Sequence, residues 1–165
     1  MFRFYLKETD EYDRLVEFME PFGLEFHGEK DLETEILKCW KVVQDPDYLV
    51  GGVILSLRKG EYYISGIAVD PPMRRTGIGR IMMEKAIKEV RSMGGKRIYL
   101  CAKVPEFFET LGFRKIPWKE ASELFGCSTC DRSPGAQAHG GRGLRAGEPV
   151  PARRHERRRR DRHVP

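Results

Sequence analysis

The sequence predicts one α/β domain of the α+β kind, in which a mixed, largely antiparallel central sheet carries helices and is followed by a disordered basic tail. Three observations carry this expectation. β-prone runs succeed one another between residues 39 and 69 with only short turn signals between them, helix and strand patterns alternate from residue 77 to residue 116, and beyond residue 131 large apolar side chains all but vanish. A chain of 165 residues has the size of one domain with an extension. No stretch approaches the roughly 18 consecutive apolar residues of a membrane span, and the opening Met-Phe-Arg-Phe-Tyr-Leu-Lys lacks the apolar block of a signal peptide. The expected location is the cytoplasm, with no membrane partner.

Residues 2–6 form a short β-prone run. Thr9, Asp10 and Glu11 then open an amphipathic stretch in which Tyr12, Leu15, Val16 and Met19 fall at helical spacing, and Pro21 and Gly23 close it. A second short helix is expected from Asp31. Residues 39–43 read as a strand, residues 44–47 as a turn and residues 48–57 as the next strand, with Lys59-Gly60 as the following turn. Residues 61–69 read as a strand with Tyr63, Ser65, Ile67 and Val69 on one face and Tyr62, Ile64, Gly66 and Ala68 on the other. After Asp70-Pro71-Pro72 and a glycine-containing loop comes the strongest helix, residues 77–93, where Ile78, Met82, Ala86 and Val90 recur every four residues and Gly94-Gly95 ends the run. A strand at 97–101, a short helix at 105–111 and a strand at 113–116 complete the domain, which is expected to span residues 1–126.

The net charge of +5 is not spread over this domain. Residues 1–126 balance 20 basic against 21 acidic side chains, whereas residues 127–165 carry ten Arg, no Lys and four acids. Such a Gly-, Pro- and Arg-rich extension cannot build a core and is expected to be disordered from about residue 131. No aromatic side chain interleaves with the arginines for base stacking, so a solvated tail is favoured over a nucleic-acid anchor. The simultaneous loss of Lys, Phe, Tyr, Trp and Met is what a frameshift or a replaced C-terminus leaves. Cys39, Cys101, Cys127 and Cys130 are too few for a disulfide framework, and Cys127-x-x-Cys130 alone offers two zinc ligands, so no metal is expected.

The chemistry-bearing segment is Val69-Asp70-Pro71-Pro72-Met73-Arg74-Arg75-Thr76-Gly77-Ile78-Gly79-Arg80. It joins a strand to a helix through two glycines, which lets backbone N–H groups converge at the positive end of a helix dipole, a ready phosphate site. A dinucleotide fingerprint is disfavoured because Met82 takes the third glycine position, and a P-loop because no Gly-Lys-Ser/Thr follows.

Arg74-x-x-Gly77-x-Gly79, preceded by Ile67-Ala68-Val69-Asp70-Pro71, resembles the acetyl-CoA signature of the GNAT acetyltransferase superfamily. Phe107-Phe108-Glu109-Thr110-Leu111-Gly112-Phe113 resembles the family's segment after its fifth strand, so the likeness covers about residues 2–117. It implies a GNAT-like fold, acetyl-CoA as cosubstrate and acetyl transfer to a primary amine. It also implies that amides of Arg75, Thr76, Gly77, Ile78, Gly79 and Arg80 cradle the pyrophosphate, that the main chain of Ile67, Ala68 and Val69 meets the pantetheine arm, and that Arg74, Arg75 or Arg80 reaches the 3′-phosphate. Ile67 N–H is implied as polariser of the thioester carbonyl.

The resemblance is imperfect where protons move. Many members place a Glu four residues before Ile67, where Tyr63 stands, so Glu61 on the same strand is the carboxylate candidate through water. Many members carry a thiolate-protonating Tyr beside the cofactor where Phe108 stands, which leaves Tyr63, Tyr99 or Ser65 as hydroxyl candidates. Cys101 is read as an inert thiol, since His27 is the only His outside the tail. The paired Phe107-Phe108 and the Cys-x-x-Cys resemble the N-acetylglutamate synthase-like branch, which implies an amino-acid acceptor such as glutamate. A protein N-terminus as acceptor, or a non-catalytic CoA-sensing role, stays open, as does a homodimer.

Overall fold

A computed structural model describes residues 3–24, 26, 34–102 and 104–116, and the backbone of residues 142–146. In chain order the elements are β1 (Phe4–Thr9), α1 (Tyr12–Met19), β2 (Thr34–Gln44), β3 (Tyr48–Arg58), β4 (Glu61–Val69), α2 (Ile78–Ser92), β5 (Tyr99–Ala102), α3 (Pro105–Glu109), β6 (Phe113–Lys115) and β7 (Arg142–Ala146). They form one sheet in the order β1-β2-β3-β4-β5-β7-β6. Only the β4–β5 pair is parallel, its strands joined by the α2 crossover, whereas β1 and β2, also joined through a helix, pair antiparallel. The mixed, largely antiparallel sheet is the expected fold class. No helix among the described residues is long and apolar enough to cross a membrane.

Two sequence expectations give way to strand pairing. The start of the second helix, expected from Asp31, lies outside the described residues, and from Thr34 the chain is the 11-residue β2. Its Glu-Ile-Leu-Lys start has helical propensity, but β3 pairs with it from Thr34↔Arg58 to Gln44↔Tyr48, and tertiary pairing outweighs a propensity of tenths of a kcal/mol per residue. The tail, expected to be disordered from residue 131, contributes β7, which pairs antiparallel with both β5 and β6. Those two strands present open backbone edges, and edge pairing uses main-chain groups that any sequence supplies. Cys127 and Cys130 lie outside the described residues.

Each sheet face carries a core. On one face α2 buries Ile78, Met82, Ala86 and Val90, the four residues that its periodicity singles out, against Trp40, Val53, Leu55, Ile64 and Leu100. On the other, Leu15 and Met19 of α1 pack with Phe26, Cys39, Ile54 and Ala68. Adjacent glycines of β3 let both helices approach. A Cβ on Gly51 would lie 3.1 Å from Met82, and one on Gly52 2.7 Å from Leu15. At the start of α1, Glu11 accepts from Lys41 at 2.6 Å and faces Arg14 at 3.3 Å, contacts that hold its carboxyl below the usual range.

β4 does not keep the two uniform faces that strict alternation predicts. Its register with β3 steps from Ile54↔Gly66 to Leu55↔Ile64, which leaves Ser65 as an extra residue, a β-bulge. The bulge reverses the facing. Ile64 packs in the α2 core while Gly66, two residues on, faces Met19 and Phe26 of the α1 core, and Ile67 and Val69 turn toward α2. Tyr63 therefore lies on the α1 side, separated from Ile67 and Val69.

Candidate functional site

The glycine loop is built as a fan of amides. β4 ends where the Asp70 amide donates to Val50 O at 2.8 Å, and a single 3-10 turn, Pro71–Met73, follows. Arg75 (φ 65°) and Gly77 (φ 88°) both take the left-handed conformation, which turns the chain sharply into α2. Thr76 Oγ1 donates to Met73 O at 2.5 Å and braces the turn. The first helical bond runs from Ile81 N–H to Gly77 O, so among the described residues the amides of Ile78, Gly79 and Arg80 have no protein acceptor. They point out of the positive end of a 15-residue helix. Gly79 serves a second purpose, since a Cβ there would lie 3.2 Å from the Phe107 ring. Among the basic side chains, Arg80 reaches Thr110 and Glu84, Arg75 is exposed, and Arg74 donates from Nε to Val69 O at 3.2 Å with its guanidinium over Phe22.

An open strand edge leads to this fan. β4 and β5 pair only at Tyr63↔Tyr99 and Ile64↔Leu100, and beyond the Ser65 bulge β4 has no partner on that side among the described residues. Antiparallel strands alternate which residues bond across the ladder. Because the Asp70 amide points at β3, the N–H and C=O groups of Val69 and, two residues back, Ile67 point away from β3 to the open edge, while those of Ala68 face β3. The result is a half-ladder of outward-facing main-chain donors and acceptors, with Val69 O held by Arg74 Nε, ending at an anion-binding helix terminus, which suits an extended ligand with a polar arm and a phosphate head.

A family model described as the acetyltransferase (GNAT) family matches residues 4–113. The chain belongs to the acetyltransferase (GNAT) family. The fold recurs in solved structures of low sequence identity. A GNAT-family acetyltransferase from Staphylococcus aureus superimposes with a TM-score of 0.62 at 18% identity, covering 87% of this chain and 98% of the other. A Mycobacterium tuberculosis protein in complex with CoA and NLQ gives 0.64 at 18%, covering 88% and 99%. An N-acetylglutamate synthase from Neisseria gonorrhoeae, complexed with CoA and N-acetyl-glutamate, gives 0.58 at 14%, covering 86% of this chain but 34% of the synthase. The chain is thus an acyltransferase of the acetyl-CoA-dependent kind, and its polar side chains near the half-ladder are the ones to examine for proton transfer.

In this acetyltransferase the bulge gathers hydroxyls. Ser65 Oγ lies 2.6 Å from Oγ of the fully buried Ser56, and Tyr63 pairs in register with the buried Tyr99, where β5 begins to diverge. Cys101 is exposed two residues further along β5, whereas Cys39 is buried in the α1 core. Glu61 opens β4 and makes no ion pair among the described residues, but it stands six residues from Ile67, about 20 Å along a strand. The structure groups Tyr63, Ser65 and Tyr99 near the divergence and leaves Glu61 at the far end. Phe108 is 8% exposed and stacks edge-on against Phe107 and Phe113 in the core, so Phe107 is the ring that meets the loop.

Two features escape the sequence pattern. The Ser56–Ser65 pair depends on the bulge, and the buried Arg58, with its guanidinium 4.3 Å from the Tyr63 ring centroid, carries no motif. Tyr48 Oη donates to Asp70 Oδ2 at 3.1 Å, which ties the loop's first residue to β3 and raises the Tyr48 phenol above its ordinary value. A surface depression lined by Lys7, Glu11, Lys38 and Lys41 lies on the β1–β2 side away from the loop. Ion pairs from Lys38 to Glu8 and Glu89 and from Lys41 to Glu11 cross that region, so structural charge pairing accounts for it.

Proposed function

We propose that this cytoplasmic acetyltransferase moves the acetyl group of acetyl-CoA directly to the primary amine of a small molecule, the α-amine of a free amino acid such as glutamate. The half-ladder of Ile67 and Val69 running into the amides of Ile78, Gly79 and Arg80 is the observation that carries this reading. In it, the amides from Arg75 to Arg80 hold the pyrophosphate, and Arg75 or Arg80 meets the 3′-phosphate. The Val69 carbonyl pairs with the pantetheine arm once Arg74 releases it. Ile67 N–H donates to the thioester oxygen as negative charge develops there. The neutral amine attacks the carbonyl carbon, the C–S bond breaks, and the amine proton passes through the Tyr63 and Ser65 hydroxyls or water to solvent. The thiolate, whose conjugate acid titrates at about 8.5, leaves with little need of an acid, which is compatible with Phe108 at the position of the usual Tyr.

The paired Phe107-Phe108, which resembles the N-acetylglutamate synthase-like branch, supports an amino-acid acceptor over a protein N-terminus. The test is thiol release from acetyl-CoA by the purified full chain against free amino acids and N-terminal peptides. Faster release with amino acids is expected. Release only with peptides would replace the acceptor class, and CoA binding without release on any amine would overturn catalysis.

A further inference from the structure

The carbonyl that the cofactor's arm would claim on β4 already has a donor. Arg74 Nε donates to Val69 O at 3.2 Å, and the guanidinium lies over the Phe22 ring, 5.4 Å from its centroid. Phe22 is half-buried, ends the 3-10 turn Glu20–Phe22 that continues α1, and is met edge-on by Phe18 at 5.5 Å. Arg74 itself is exposed and makes no ion pair among the described residues. Its side chain thus straps the outer end of β4 to the end of α1 through two contacts. One is a hydrogen bond longer than the usual N–H···O distance of about 2.9 Å, the other a cation–π contact at a half-exposed ring, and both are of a kind that a competing partner can displace.

We infer that Arg74 is a specificity-determining latch: every ligand that pairs with Val69 O must displace it, and only a ligand that also brings phosphate gives the freed guanidinium a new partner. The enzyme therefore selects full CoA thioesters over pantetheine thioesters that lack the nucleotide. This rests on the acetyl-CoA reading above. The outward direction of the Val69 carbonyl is the one an added strand needs, so an amide of the pantetheine arm and the arginine compete for it. With pantetheine alone, the displaced guanidinium loses Val69 O and the Phe22 ring and returns to water. CoA carries phosphates to the amides that begin at Ile78, four residues along the chain from Arg74, and phosphate oxygens suit the planar fork. The binding-competent state is the unlatched one, and the apparent affinity for any arm-bearing ligand is reduced by the unlatched fraction.

The test is titration of the full chain with CoA and with pantetheine, followed through the backbone amide signals of Ile67 and Val69 by NMR. The wild type is expected to bind CoA much more tightly than pantetheine. Arg74→Ala should tighten pantetheine about 3- to 10-fold and weaken CoA several-fold, so that the ratio of the two dissociation constants falls at least about tenfold. Phe22→Leu loosens the latch but keeps the arginine, and should tighten both ligands by a similar factor of about 2 to 5 with the ratio unchanged. Pantetheine bound no more tightly by Arg74→Ala, a ratio there equal to that of the wild type, or pantetheine affinity unmoved in Phe22→Leu would overturn the inference while leaving the CoA site standing. Absence of CoA binding by the wild type would remove that site and the latch with it.

Discussion

Replacing Gly77 by alanine adds one methyl at φ 88°, in open space with no atom within 4 Å of the new Cβ. Its cost is therefore backbone strain alone, about 1–2 kcal/mol for an alanine held in the left-handed region. For a domain of this size that corresponds to a loss of about 4–8 °C in Tm. If the chain instead relaxes out of that conformation, the Ile81 N–H to Gly77 O bond breaks and the amides of Ile78, Gly79 and Arg80 re-aim. Losing one or two charge-assisted hydrogen bonds to phosphate weakens CoA binding about 10- to 100-fold. Gly60 is the internal control, because it has φ 79° and an equally open Cβ position but sits in the β3–β4 hairpin turn. Thermal unfolding by circular dichroism and calorimetric CoA titration should show similar Tm losses for Gly77→Ala and Gly60→Ala, with affinity lost only in the first. An unchanged Tm in Gly77→Ala would refute the strain argument, and equal affinity losses would refute the role of the loop.

Other consequences follow from packing and charge. Phe108→Tyr adds a hydroxyl to a buried ring cluster, so about 1–3 kcal/mol of stability should be lost in urea unfolding with no gain in kcat; a faster enzyme would show that the position reaches the thiolate. Gly52→Ala places a Cβ 2.7 Å from Leu15 Cδ2 and should cost about 1–3 kcal/mol by overpacking in the same assay. Ser65→Ala leaves the fully buried Ser56 hydroxyl without its 2.6 Å partner and should destabilise by about 1–3 kcal/mol while lowering kcat, read by unfolding and initial rates. Glu11 is held low first by its hydrogen bond from Lys41, so its contribution is present above the ordinary carboxylate range and fades as pH falls through it. The Tm gap between wild type and Glu11→Gln should shrink from pH 7 toward about pH 3, and a constant gap would contradict the pairing.

The parts of this fold that the sequence announces are those fixed by local chemistry. Ile78, Met82, Ala86 and Val90 declare the α2 face, Lys59-Gly60 the hairpin, and the two loop glycines the strand-to-helix turn. What escapes is set by partners distant in sequence. Ser65 is an ordinary strand residue until Gly66 pairs with Ile54 and Ile64 with Leu55, and that one-residue step decides which side chains flank Tyr63. Residues 34–38, which fall within the short helix expected from Asp31, are strand because β3 lies alongside. β7 is invisible to any apolar count because it joins the sheet through its backbone. Arg58 reads as a hairpin-flanking surface charge until pairing brings Thr34 to its Nε and Tyr63 beneath its guanidinium.

The central claim is that CoA binds as an added strand on the open edge of β4, and amide hydrogen exchange resolved by residue tests it most directly. Without CoA, the Ile67 and Val69 amides should exchange quickly and the Ala68 amide, bonded to β3, slowly. Saturating CoA should slow Ile67 and Val69 by at least about tenfold and leave Ala68 where it was. Ile67 and Val69 amides already protected in the free protein, or indifferent to bound CoA, would contradict the account.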